Sequence, residues 1–389
     1  MKILHVIPSI CKKRGGPSFA VINMVRELRA QGIDASIITT CDNQTYREYN
    51  ITGKRDFWIE DVPVLMFPII ETRYRVINEY LVSPELTFWL LTNIEQYDAV
   101  HIHSIFSYCC SSAMLVARFK KIPYLVRTIG QLNTWSLSQS KVRKTIMLFL
   151  LEYSNLKKSS AIHVTSTYEY NDLLKVCKHP KILCLQLGVD ISEAGNQIVY
   201  SDLDEIRFLF LSRIHPKKQL DIVLQAFSLL FHKYNKRCWK LSIAGDGDKE
   251  YLSSLQLYAL RHGISNNIEW LGHVGAEKKS ELLNCSHWYI LPSKSENFGI
   301  SVVESLAHGT PVIISKEVGV SSMVSEHKAG YVINNRTELE DSLLIALSGS
   351  SREMRNAALK LAKEHFSWPE VIRNLILFYN EIVIDRSKV

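Results

Sequence analysis

Residues 288–314 read WYILPSKSENFGISVVESLAHGTPVII, and the fold is decided here. Trp288-Tyr289-Ile290-Leu291 is a short apolar run stopped by Pro292, the pattern of a buried strand. Ser293 to Asn297 is a polar loop. Phe298-Gly299-Ile300 then leads into a helix carrying Val302, Val303 and Leu306. Gly309 falls where a helix C-cap belongs, and Pro311-Val312-Ile313-Ile314 is the next strand. Strand, loop, helix, strand is the unit of an open α/β sheet, in which ligands bind at the loops after the strands' C-terminal ends.

Two carboxylates mark the unit. Glu296 lies in the loop, and Glu304 lies on the helix with seven residues between them. The backbone N–H groups from Asn297 through Phe298, Gly299 and Ile300 to Ser301 precede or open the helix and have no intrahelical partner. They are a natural seat for phosphate or sugar oxygens. Glu304 can accept two hydrogen bonds from a vicinal diol such as a ribose, and Glu296 can do the same for a sugar ring. Spacing alone favours a plainer alternative, a solvated helix carboxylate and a loop charge, because most surface carboxylates are ordinary. The string from Ser295 to Ile313 changes that balance. It resembles the signature of glycosyltransferase family 4, retaining, nucleotide-sugar-dependent enzymes of the GT-B fold, and the two glutamates fall on that family's pair. The resemblance implies an α/β protein of two Rossmann-like, doubly wound domains facing a cleft.

The 389 residues suffice for about two domains. No apolar run is long enough for a transmembrane helix. The start, Met1 to Pro8, is a strand pattern and not a signal peptide. Eight cysteines are scattered without metal-ligand spacing, so free thiols in a reducing cytoplasm are expected. The net charge of +7 is uneven: residues 1–200 hold 23 Lys and Arg against 17 Asp and Glu. That half could meet the inner face of an anionic membrane or an anionic acceptor, or could simply be a mildly basic solvated surface. No nucleic-acid-binding motif appears.

Outward from the opening stretch, the first half begins with a strand over 2–8 and a loop with Gly15 and Gly16. A helix from Ser18 and a strand over 33–39 follow, a mononucleotide-fold opening. The glycine pair lets backbone approach a ligand, or is a plain turn. Residues 42–62 read as polar and irregular, an acceptor-side insertion or a surface loop, 62–67 as a strand, and 76–94 as a helix broken at Ser83-Pro84. Tyr97 to His103 is a strand with His101 and His103 on one face, and His103 is nearer the C-terminal end. It is either a pocket residue or a satisfied structural histidine. Ile122 to Val126 is a strand running into Arg127-Thr128-Ile129-Gly130-Gln131-Leu132-Asn133. Many family 4 members place a histidine or arginine just after this strand; here Ile129 takes that place. Thr128, Gln131 and Asn133 are the candidate acceptor contacts. Residues 141–158 read as an interfacial helix or as a buried core helix with basic ends, and apolar residues running all round it favour the buried reading. Gly188-Val189-Asp190 resembles the family's tripeptide before the interdomain linker.

The second half restarts the pattern with a strand over 206–211. Arg213 and Lys218 flank the turn that follows, where a diphosphate can meet two cations and a helix N-terminus, or two cations can simply be solvated. The string resembles the family's donor-phosphate element, with Lys217 the neighbour that could be confused with Lys218. Gly245-Asp246-Gly247 resembles the loop beside the donor, and His273-Val274 falls in the base-binding loop. The expected organisation is an acceptor-side domain over 1–190, a linker over 191–205 and a donor-binding domain over 206–369. A helix over 370–389 is expected to return to the first domain.

The resemblance implies transfer of a sugar, with retention, from a nucleotide-diphosphate sugar to a glycan or lipid-linked acceptor in polysaccharide or glycoconjugate assembly. Arg213 and Lys218 would neutralise the leaving diphosphate, a task a divalent ion does elsewhere, so no essential metal and no cofactor are expected. Glu296 would hold the sugar, and His103 would orient the acceptor or share its proton. The alternatives are a nucleotide-sugar epimerase, which needs no acceptor, and a nucleotide-sugar-binding protein without catalysis.

Overall fold

A computed structural model describes residues 1–11, 16–41, 56–139, 141–192, 205–234, 238–347 and 352–386. The chain forms two compact units, Met1–Gly188 with Trp368–Val389, and Val189–Ser367. Much of the expected linker, and Gly15, lie outside the described residues.

The first unit runs β1 (Lys2–Ile7), α1 (Gly16–Ala30), β2 (Asp34–Cys41), β3 (Asp56–Ile59), β4 (Val62–Pro68), α2 (Arg75–Tyr80), α3 (Pro84–Asn93), β5 (Ala99–His103) and α4 (Tyr108–Phe119). It continues β6 (Tyr124–Arg127), α5 (Thr134–Ser138), α6 (Lys141–Met147), α7 (Tyr153–Lys157), β7 (Ala161–Val164), α8 (Thr167–Val176) and β8 (Ile182–Cys184). The sheet order is β3-β4-β2-β1-β5-β6-β7-β8, parallel except for β3. Its central strands are buried throughout because helices cover both faces, which is why they read as apolar runs. The terminal helix Trp368–Arg386 joins this unit, touching α1 and β5. Trp368 seats its ring against Gly188, where a Cβ would stand 2.2 Å from ring carbons, and this accounts for the glycine of Gly188-Val189-Asp190.

Two readings are corrected. Of residues 42–62, those over 42–55 lie outside the described residues, and 56–59 are not irregular: they form β3, which pairs antiparallel with β4 at the sheet edge. Its half-exposed pattern lacks the apolar run that marks a buried strand. Residues 141–158 are not a buried core helix. α6 passes through a π-helical turn, Leu148–Glu152, into α7, with Val142, Ile146, Phe149 and Leu150 exposed while Glu152 and Asn155 are buried. The break at Ser83-Pro84 does separate two helices, α2 and α3.

The second unit runs β9 (Glu205–Leu211), α9 (Leu220–Tyr234), β10 (Cys238–Ala244), α10 (Lys249–Arg261), β11 (Ile268–Gly272), α11 (Ala276–Cys285), β12 (Trp288–Leu291) and α12 (Ile300–Ala307). Then follow β13 (Val312–Ser315), α13 (Ser321–Glu326), β14 (Gly330–Ile333), α14 (Arg336–Ala346) and α15 (Arg352–Leu361). All six strands are parallel, in the order β11-β10-β9-β12-β13-β14. The order reverses beside β9, the switch point at which an open sheet leaves a crevice between neighbouring strand-end loops.

Candidate active site

At the C-terminal edge of the second sheet, five strand-end loops are tied side by side by their own backbones. Ile214 N donates to Asp246 O (2.8 Å), and Gly245 N donates to Gly272 O (2.7 Å). A Cβ on Gly245 would lie 1.9 Å from Ser212 O, and one on Gly247 2.1 Å from Ile214 O, so both positions demand glycine. Across the switch point, Lys294 N and Ser293 Oγ donate to Lys217 O (2.8 and 3.1 Å). Glu296 N donates to Glu317 O, and Gly319 N to Glu296 O, both at 3.0 Å. These bonds bring together the sequence-predicted residues Arg213, Lys218, Gly245, Asp246, Gly247, Glu296 and Gly299.

The rim is charged. Lys218 and Glu296 form an ion pair, both side chains mostly buried, and Ser293 Oγ also donates to the Glu296 carboxylate. A one-turn 3-10 helix, Pro216–Lys218, carries the two lysines, and Arg213 is exposed before it. Burial pushes the Lys217 ammonium below its usual range; Glu296 opposes this, while Lys218 and Arg213 add to it. Three cations around one carboxylate leave an excess of positive charge beside the N-terminus of α12. That helix starts at Ile300 behind Gly299, a left-handed N-cap at φ 90°. Phe298 is buried and seats the loop, and Asn297 O lies against Gly319. Glu304, one turn into α12, accepts from Lys279 Nζ at 2.7 Å, a partner on α11 that sequence spacing does not disclose. His273 is exposed and Val274 half-buried after β11.

In the first unit the corresponding strand ends look different. His103 is fully buried, and its Nε2 lies 2.9 Å from His5 Nδ1. His101 and His163 complete a file of imidazoles on β1, β5 and β7. His163 Nε2 faces Leu185 O at 2.8 Å and must carry the proton, so its Nδ1 accepts from His101 Nε2 (3.3 Å). His101 Nδ1 then accepts from the Tyr379 hydroxyl at 2.6 Å. Burial, the neighbouring histidines and the Arg127 guanidinium hold His101 and His103 well below the usual imidazole range. His5, His101 and His103 bring ring nitrogens within 4.8 Å of one another, close enough for a metal ion. The fully buried Arg127 charge beside them works against a cation there.

Thr128, Gln131 and Asn133 each hold a loop. Thr128 Oγ1 and Gly130 N donate to Glu169 Oε1 (2.7 and 2.6 Å). Gln131 Oε1 accepts from Ser104 Oγ (3.0 Å) and Ile105 N (2.7 Å), joining the loops after β5 and β6. Asn133 Oδ1 caps α5 through Ser136 N at 2.6 Å. Ser104, Phe106 and Ile129 take φ of 117°, 58° and 51°, left-handed backbone that non-glycine residues rarely adopt. Gly16 is the exposed first residue of α1.

The first half of the chain, residues 14–193, matches the family model described as Glycosyltransferase Family 4, and residues 193–365 match Glycosyl transferases group 1. The chain belongs to glycosyltransferase family 4. An uncharacterized glycosyltransferase of Methanocaldococcus jannaschii is 24% identical over 388 residues, covering 98% of this chain and 99% of that protein. The D-inositol 3-phosphate glycosyltransferase of Jonesia denitrificans is 22% identical, with 96% and 92% covered. Among solved structures, Anabaena HepE in complex with UDP and glucose superposes with a TM-score of 0.72 at 16% identity, over 98% of this chain and 99% of that one. This likeness shows the fold, which is GT-B, and the family 4 chain is a glycosyltransferase. The family member's helices include none long and apolar enough to cross a membrane, among the described residues. Sequence reasoning missed His5, His163, Glu169 and Lys279. The first two left a faint signal, a histidine inside an otherwise apolar strand.

Proposed function

We propose that this glycosyltransferase moves a sugar, with retention, from a nucleotide-diphosphate sugar to a glycan or lipid-linked acceptor in polysaccharide or glycoconjugate assembly. The observation that carries the reading is the cluster of Arg213, Lys217 and Lys218 around Glu296 at the N-terminus of α12. Arg213 and Lys218 take the diphosphate and stabilise the charge that grows on it as the sugar departs. The ion pair with Lys218 holds the Glu296 carboxylate at the place where it can bind sugar hydroxyls. Glu304 binds the ribose, and the Gly245-Asp246-Gly247 and His273-Val274 loops receive the nucleotide. The UDP bound by HepE supports a nucleotide donor.

Retention without an enzyme nucleophile follows if the leaving phosphate oxygen accepts the acceptor's proton, with the protein supplying position and charge. The acceptor is received by the strained loops after β5 and β6. His103, enclosed and neutral, is a positioning residue for the first of them. The cations of the rim supply the charge a divalent ion supplies elsewhere, so EDTA is expected to leave transfer unchanged. The test is a melting screen against nucleoside diphosphates and their sugars, followed by NMR of the product anomer with the donor that stabilises. An inverted product refutes retention. A new sugar epimer formed without acceptor makes the chain an epimerase, and binding with neither transfer nor donor hydrolysis makes it a binding protein.

A further inference from the structure

We propose that the outer helical face of the first unit docks on an anionic phospholipid bilayer. The segment from α6 to α7 is built inside out. Val142, Ile146, Phe149, Leu150 and Tyr153 recur at helical spacing and point away from the unit, Phe149 82% and Leu150 72% exposed. The opposite side turns polar groups inward. Glu152 accepts from Ser111 Oγ (2.6 Å) and Phe106 N (3.1 Å), and Asn155 Oδ1 accepts from Arg118 Nη1 (2.7 Å). A helix facing water does the reverse. Rolling the segment to hide the stripe would break these bonds and expose Leu156.

The stripe has neighbours. β4 to β5, β5 to β6 and β6 to β7 are parallel crossovers advancing the same way across the sheet, so their helices share one face. There α3 exposes Phe88 and α4 exposes Leu115 and Phe119, the last 76% exposed. Beside them lies a cavity of about 1000 Å³ lined by Phe119, Arg118, Lys120, Lys121 and Lys158. Residues 101–151 contain seven Lys and Arg and no Asp or Glu. Two carboxylates from α2 and the turn after α3 do meet this face, Glu79 on Arg143 and Glu95 on Lys120.

Charge selects the occupant. A second copy of the chain would set these cations against themselves, whereas a bilayer offers phosphates to the cations and acyl chains to the stripe. The inference does not depend on the reaction proposed above, since binding is read without substrate.

Flotation with phosphatidylcholine vesicles, with and without phosphatidylglycerol, tests it. The full chain is expected to float with the anionic vesicles and to be released by high salt. Phe149→Glu with Leu150→Glu should lower the partition coefficient by about tenfold or more. Lys120→Glu with Lys121→Glu should weaken binding to anionic vesicles. Leu260→Glu, an exposed apolar position of α10 in the second unit, should change nothing. Wild-type chain left at the bottom of the gradient, or a Phe149/Leu150 variant with a native melting profile that floats like wild type, overturns the proposal. A dimer in light scattering that this variant dissociates, with no flotation by the wild type, assigns the face to a second copy instead.

Discussion

The two sheets end in rims built on opposite plans. In the second unit, backbone bonds and close glycine contacts hold the loops together, so Arg213, Lys218, Glu296 and Glu304 are left to present charge. In the first unit, side chains do the holding. Glu169 and Gln131 fasten the loops after β5 and β6, and the histidines at the strand ends are sealed in and neutral. One rim presents chemistry; the other spends its polar groups on its own shape. Substitutions in the second should therefore cost function, and those in the first should cost stability.

The largest effect expected is from pH on the first unit. His5 and His163 are each held down to about 3 by burial and by the Arg127 charge, against about 6.5 when unfolded. Above 6.5 both states are neutral and pH has no leverage. Below it the unfolded chain takes up protons that the folded chain refuses. Stability then falls by roughly 1.4 kcal/mol per pH unit for each, about 3 for the pair, until the folded values are reached. Melting curves stepped down from neutral pH should show this, and a His5→Gln variant should have a shallower slope. A flat melting temperature down to about pH 5 would break the sealed-histidine half of the comparison.

Next in size is Glu169→Ala, which removes an acceptor from Thr128, Gly130 and Thr165 and leaves the Arg127 charge without its nearby carboxylate. A loss of about 3–5 kcal/mol is expected in urea unfolding. A small loss with a raised acceptor KM would instead place Glu169 in recognition.

On the second rim, Lys218→Met should leave the melting temperature close to wild type and lower kcat by about 10²–10³ with a milder rise in KM. Lys217→Met is the control, expected to lose less. Equal losses would mean the two lysines share the diphosphate. The smallest effect is for Glu304→Gln, which turns one acceptor into a donor and should weaken donor binding by about 1–3 kcal/mol in calorimetry. Unchanged affinity would leave Glu304 as the partner of Lys279 and nothing more.

The second unit was the more legible of the two because its signals are local. Pro292, Gly299 and Gly309 punctuate strand, loop and helix within one short stretch, and Glu296 and Glu304 sit on a fixed spacing. The segment 141–158 was misread for the converse reason. Apolar residues all round a helix indicate burial only if its polar residues lack a better place inside, and Ser111 and Arg118 supply Glu152 and Asn155 with one. His103 reads as a pocket candidate by strand direction, yet which neighbours enclose it depends on β1, nearly a hundred residues away.

The sequence by itself determined the doubly wound class, the family, the break at Ser83-Pro84 and the charged loops of the second unit. Each is written in residues close together in the chain, where steric rules and periodicity act. Tertiary structure alone decided that Lys218 pairs with Glu296 and Glu304 with Lys279, that four histidines form one buried file, and that an apolar stripe faces outward. Those outcomes depend on strand order and on how far each helix is rotated about its axis. Both are fixed by the sum of many distant contacts, and local sequence does not encode that sum.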